Sequence, residues 1–224
     1  MEAAASTPTS ITSKHYWRQS TALAVSIILH PLFVPLYIMV ASKLGFFAAV
    51  GASVNTTTLF MAIAFVFCGI PIMGVIMLRL GGVLTDWQLT HKRDRLVVMG
   101  MSTLVLLFGL YKLQSLISLN YVIEVVLTGQ AFCCLFCLLV NFFYRVSAHS
   151  IGMAGIVGLL LSLAYQSGGE PFILVFAFSL LSLGIVVWAR LYLAVHTVAE
   201  CAWAVVAGGL IGWFAPELVT LTGG

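Results

Sequence analysis

Charge is what this sequence has least of. Only 8% of its 224 residues are Asp, Glu, Lys or Arg, against about 25% in a soluble domain, and no run of like charges stands apart as a tail. That scarcity excludes a water-soluble globule. The formal net charge of +3 is too small to suggest a nucleic-acid partner. A cysteine framework is missing as well: Cys68, Cys133, Cys134, Cys137 and Cys201 all lie inside apolar stretches, where they read as small hydrophobes rather than as disulfides or a zinc site. No internal repeat, linker or second domain is visible.

What fills the chain instead is apolar, with 62% hydrophobic residues and a mean hydropathy of +1.12. The apolar runs extend approximately from Thr21 to Leu44, Thr58 to Leu80, Leu96 to Leu113, Leu119 to Tyr144, Ser150 to Tyr165, Phe172 to Ala189 and Thr197 to Ala215. Each is near the ~17–25 residues that cross hydrocarbon as a helix, the fifth being the shortest. The expected fold class is therefore all-α, a polytopic transmembrane helical bundle of about seven (six to seven) helices, with the bilayer as its solvent. The organisation read from these runs is a polar lead-in (1–20), a single transmembrane domain (21–215) and a short tail (216–224). The first run is too long for a signal peptide and lacks a small-residue cleavage site, so it reads as a retained helix. Pro31, Pro35 and Pro71 fall inside spans and predict kinks whose freed carbonyls are satisfied by neighbouring groups.

Seven crossings place the N-terminus, Arg79 to Arg95, Arg145 to His149 and Arg190 to His196 on one side. Eight of the ten Lys and Arg residues lie there, and by the positive-inside rule that bias points to the cytoplasmic side of a multi-pass cell membrane. The chemistry-rich breaks share this face.

The strongest local signal runs from Arg190 to Glu200. Ionisable residues at membrane depth normally face a bundle interior or a water-filled site. If the last span is helical from about His196, then His196 and Glu200 stand four apart on one face, close enough for the carboxylate to hold one ring nitrogen. The other nitrogen is then free to attack or to take a proton; a structural pair steadying the helix start is the plainer alternative. The second signal is Arg145 to Ser150, where Ser147, free amides at a helix start and His149 suit an anion cradle with a proton donor, or else a helix cap and an interfacial side chain. The third is His91-Lys92-Arg93-Asp94-Arg95, whose bases suit a phosphate or an anionic headgroup, or plain topology control. Together the three fit phosphoryl transfer without a metal, in which the protein positions groups and neutralises oxygens.

The order and spacing resemble the type-2 phosphatidic-acid phosphatase superfamily of membrane lipid phosphatases, over roughly Lys92 to Glu200. Its third motif, Ser-Arg, five residues, His, three residues, Asp, is similar to Ala189-Arg190, five residues, His196, three residues, Glu200. Its second motif, Pro-Ser-Gly-His, stands here as Val146-Ser147-Ala148-His149. Its first, Lys, six residues, Arg-Pro, departs most: Arg95 precedes Leu96, and Gln88 occupies the lysine position. The resemblance implies His196 as the nucleophile forming a phosphohistidine, Glu200 as its orienting acid and His149 as the proton donor to the leaving alkoxide. It assigns phosphate oxygens to Arg95, Arg190 and Ser147, with Lys92 and Arg93 as further candidates, and it implies no cofactor and no metal. The expected substrate is a lipid phosphate or diphosphate of the phosphatidic acid, phosphatidylglycerol phosphate, polyprenyl diphosphate or lipid A class. A non-catalytic membrane protein that binds or transports an anionic lipid is the rival.

Among the other polar residues, His30 beside Pro31 reads as a kink or packing residue and Glu124 as an interfacial acid. Trp87, Tyr144, Trp188 and Tyr192 flank the candidate face as interfacial aromatics, with Tyr192 placed to line a lipid entrance. Three histidines also permit a haem, but His149 and His196 lie beside several cations, which suits an anion better than axial ligation.

Overall fold

The structure, a computed structural model, describes residues 10–46, 56–117, 119–168 and 172–222. Ten α-helices occur among them: α1 (Ser10–Ile28), α2 (Val34–Lys43), α3 (Thr56–Ile63), α4 (Ile70–Leu80), α5 (Lys92–Leu116), α6 (Tyr121–Asn141), α7 (Ala148–Ser167), α8 (Ile173–Tyr192), α9 (Val198–Trp213) and α10 (Ala215–Thr222). No strand occurs among the described residues. Six helical runs are long and apolar enough to cross a membrane: Trp17–Lys43, Thr56–Leu80, α5, α6, α7 and α8. A seventh is formed by Val198–Trp213 with Ala215–Leu221, bent by 51°. The lead-in is thus already helical from Ser10, and the tail expected after Ala215 is helix as far as Thr222.

The first span is broken where its prolines fall. Pro31 has no N–H to donate, and His30 adopts extended backbone and caps a 3-10 turn, Pro31–Phe33, by accepting from the Leu32 N–H through Nδ1 at 3.3 Å. The carbonyls around the break find side-chain donors. Tyr37 Oη donates to Ile28 O, Cys68 Sγ donates to Leu32 O at 3.0 Å, and Ser26 O receives His149 Nε2 at 3.2 Å. In the second span the residues Ala64–Gly69, just ahead of Pro71, widen into a π-helix.

The interior is built on α6 and α7, where Ile123, Leu127, Ile151, Leu159 and Leu160 are buried, while Phe178, Leu181 and Ile185 of α8 face outward. Without a hydrophobic drive between helices in lipid, association depends on close packing, and small residues allow backbones to approach. That is how α7 meets α9. A Cβ placed on Gly208 would overlap the Ile151 carbonyl, one on Gly158 the Gly209 carbonyl, and one on Gly212 the Gly155 carbonyl. Gly152 likewise leaves room for Pro31 at the helix break. These contacts hold the first half of α7 against the later turns of α9 and, through Gly152, against the broken first span.

Candidate functional site

The corner between α8 and α9 is made by Ala194, a non-glycine residue at φ 52°, in the sparsely populated left-handed region. Thr197 then caps α9. Its Oγ1 accepts from the Glu200 N–H at 3.2 Å, and Glu200 Oε2 accepts from the Thr197 N–H at 3.1 Å, forming a capping box. The same Oε2 lies 2.9 Å from His196 Nδ1. One carboxylate therefore both closes the helix start and holds the imidazole. Because a carboxylate accepts, the hydrogen sits on Nδ1 and the lone pair is left on Nε2. Burial pushes His196 down to about 4; the hydrogen bond to Glu200 opposes this, and the positive charges of Arg190 and Arg145 reinforce it. At neutral pH the ring is uncharged, so the contact is a charge-assisted hydrogen bond rather than an ion pair.

The corner between α6 and α7 supplies the second segment. Lys92 Nζ donates to Phe142 O at 2.8 Å, closing the end of α6, and Ser147 caps α7 by accepting from the Ser150 N–H at 3.3 Å. Ser150 Oγ also donates to Ser147 Oγ at 2.9 Å, and both serines are fully buried. His149 turns toward the broken first span, where Nε2 donates to Ser26 O and the ring stands edge-on to His30, centroids 4.5 Å apart. A carbonyl can only accept, so the His149 hydrogen is on Nε2 and Nδ1 is the titrating atom.

Three guanidiniums complete the arrangement. The Nε atoms of Arg95, Arg145 and Arg190 are each buried without a hydrogen-bond partner. Arg95 Nη1 donates to Thr90 O at 2.7 Å and to Leu89 O at 3.2 Å, fixing the loop before α5. Arg145 and Arg190 make no hydrogen bond or ion pair among the described residues. Arg95 lies within electrostatic reach of Arg145 and Glu200, and Arg145 and Arg190 lie within reach of each other and of His196. Three fixed positive charges thus face one carboxylate. Burying an unpartnered ion is costly, and the starts of α5, α7 and α9 add the positive ends of three helix dipoles. The arrangement is suited to an anion with several acceptor oxygens.

His196, Glu200, Arg190, Arg95, His149 and Ser147 are accordingly brought to one end of the bundle. Lys92 is engaged at the end of α6, and Arg93 is exposed on the first turn of α5 with no contact joining it to the cluster. Arg145 belongs to the cluster although the sequence reading, which opened its second signal on this residue, gave it no phosphate-binding role; its signal was its place on the same face as Arg95 and Arg190. His30 and Ser26 join through His149, and no local motif announces that. Glu124 lies elsewhere, accepting from Gln114 Nε2 at 2.6 Å. Trp188 and Tyr192 stack at 5.5 Å near the end of α8, and Arg79 lies over Trp87. Among the described residues no three His, Cys, Asp or Glu side chains converge as a metal site. No family model, no curated protein and no solved structure matches the chain.

Proposed function

We propose that this chain is a metal-independent phosphatase of the membrane, acting on a lipid phosphate or diphosphate through a phosphohistidine. The observation that carries the reading is the pair His196 Nδ1 and Glu200 Oε2 at 2.9 Å, set within reach of guanidiniums that lack partners. His196 Nε2 attacks phosphorus in line; the P–N bond forms as the bond to the leaving oxygen breaks, and Glu200 steadies the imidazolium that develops. Arg95, Arg145 and Arg190 neutralise the equatorial oxygens. His149, when protonated, keeps its Nε2 hydrogen on Ser26 O and gives the Nδ1 hydrogen to the leaving alkoxide. Its neutral Nδ1 then takes a proton from the water that hydrolyses the P–N bond and releases inorganic phosphate. The charge bias assigns this end of the bundle to the cytoplasmic face; reporters fused at either terminus test that topology, opposite sides being expected for seven crossings.

A second reading is a non-catalytic binder or carrier of anionic lipid. It is favoured by the engagement of Lys92 with Phe142 O and of Ser147 as a buried helix cap, which leaves arginines as the principal ligands. Phosphate release from a panel of lipid phosphates, with purified wild type, His196→Ala and His149→Ala, decides between the two. Release by wild type that both substitutions abolish supports the phosphatase. Release indifferent to both removes the assigned mechanism, and tight binding without release by wild type establishes the binder.

A further inference from the structure

The imidazole of His149 is tethered at one atom. Its Nε2 donates to Ser26 O at 3.2 Å, and a single neutral hydrogen bond contributes little net against the freedom of a side chain to turn away. The ring has a second neighbour on the same broken span. His30 stands edge-on to it, with centroids 4.5 Å apart and planes at 78°, a favoured arrangement of rings. His30 is itself fixed, for reasons that begin in the sequence. A residue before proline is confined to extended backbone, which His30 adopts at φ −68° and ψ 131°. Its Nδ1 accepts from the Leu32 N–H at 3.3 Å, and the Phe33 ring lies edge-on at 6.3 Å. An accepting nitrogen holds no hydrogen, so the His30 hydrogen is on Nε2 and its basic atom is already used by the cap. Packing ties the same two segments a second time: Gly152, one turn beyond His149 on α7, leaves the space that Pro31 fills. Arg190 lies within electrostatic reach of both rings, which places the pair at the edge of the cationic cluster.

We propose that His30 is the positioning residue of His149: its ring, set by the break at Pro31, confines the His149 imidazole to the orientation that binds Ser26 O and leaves Nδ1 for the leaving group. The inference rests on the reading of His149 as the proton carrier of the proposed reaction. Without the His30 ring, His149 leaves Ser26 O for part of the time, and its hydrogen is divided between the two nitrogens. A proton is then poorly placed for the departing alkoxide. A leaving group that departs without a proton is indifferent to the change.

Two substitutions separate the two features of His30. His30→Asn keeps an acceptor for the Leu32 N–H, since Asn caps helix starts well, and removes the ring. His30→Phe keeps a ring and removes the acceptor, at a cost in stability. The full chain in phosphatidylcholine vesicles is followed through its first turnover with a short-chain phosphatidic acid, whose alkoxide needs a proton, and with p-nitrophenyl phosphate, whose nitrophenolate does not. His30→Asn is expected to slow cleavage of the phosphatidic acid about ten- to hundredfold and to leave the nitrophenolate burst unchanged, whereas His30→Phe keeps both rates although it unfolds more easily. NMR spectra of isotope-labelled histidine rings, with His149 assigned by its loss in His149→Asn, read the tautomer: hydrogen on Nε2 in wild type and His30→Phe, a mixture in His30→Asn. Equal slowing of both substrates, slowing that follows stability across the two variants, or a His149 tautomer unmoved in His30→Asn overturns the proposal. A wild type that releases no phosphate from either compound sinks the phosphatase and leaves the tautomer to decide the role of His30, whereas release with an unmoved tautomer sinks only that role.

Discussion

The proton on His196 offers a direct test of the site, because a buried neutral imidazole makes the fold sensitive to acid. Its value is held near 4, against about 6.5 when the chain is unfolded. Between these values the unfolded chain binds a proton that the folded chain resists. Stability is therefore unaffected above about pH 7, falls as pH drops through this window, and levels off below about 4. Integrating proton uptake from pH 7 to pH 5 with these two values gives a loss of about 2 kcal/mol, approaching about 3 kcal/mol at still lower pH. The side chain is only 8% exposed, so solvent screening leaves most of this intact.

Unfolding in mixed micelles, followed by loss of helical circular dichroism as SDS is titrated, measures the free energy at pH 7 and pH 5 for wild type and His196→Asn. The substitution lowers stability at neutral pH by removing the partner of Glu200, but the slope with pH is the quantity that matters. Wild type is expected to lose about 2 kcal/mol more than the variant over this interval, other histidines contributing equally to both. Equal losses would mean that the ring is hydrated and not held as described. If the chain releases phosphate as proposed, the acid limb of that activity is expected near pH 4, and Arg145→Gln, by removing a positive neighbour, is expected to move that limb to higher pH.

Two further outcomes follow from the packing and from the cap. Gly212→Ala puts a methyl group against the Gly155 backbone and is expected to cost about 1–3 kcal/mol in the same SDS titration, whereas Gly184→Ala, in open space on α8, is expected to be neutral or to gain up to about 1 kcal/mol from helix propensity. Thr197→Ala removes the acceptor for the Glu200 N–H and is expected to cost about 1 kcal/mol, with a fall in any phosphate release as the helix start that carries Glu200 loosens. Thr197→Ser, which keeps the hydroxyl, is expected to restore both.

The spans were legible because the bilayer fixes their length, and the break at Pro31 because proline removes a donor whatever its surroundings. The contact of His196 with Glu200 was legible for a similar reason: four residues at a helix start meet through local geometry alone. The bend after Trp213 was not read, although Pro216 stands beside it and removes an N–H from the continuing helix; an apolar run does not reveal where its axis turns. Arg145 was counted as a topological charge, since membership of the cluster depends on how α5, α8 and α9 pack beside the corner that carries it. His149 posed the same difficulty. Its spacing within the motif indicates an acid or base, but which nitrogen is free depends on Ser26 O, more than a hundred residues away, and on the break that exposes that carbonyl.

The glycine seam and the histidine site are parts of one construction. Close backbone contact fixes α7 against α9, and the start of each helix carries a histidine whose tautomer is fixed by an outside acceptor. Glu200 takes the Nδ1 hydrogen of His196, and Ser26 O takes the Nε2 hydrogen of His149. Opposite nitrogens are thereby left for the proposed reaction, in which one would serve as nucleophile and the other as proton carrier. Neither ring neutralises the guanidiniums, because a neutral imidazole carries no charge to offer them. Glu200 is already shared between His196 and the Thr197 N–H. The excess positive charge of Arg95, Arg145 and Arg190 is thus left without a counter-ion, and in the proposed reading a multiply charged anion that offsets it, at Arg145 and Arg190 above all, would stabilise this end of the bundle as well as set phosphorus against His196.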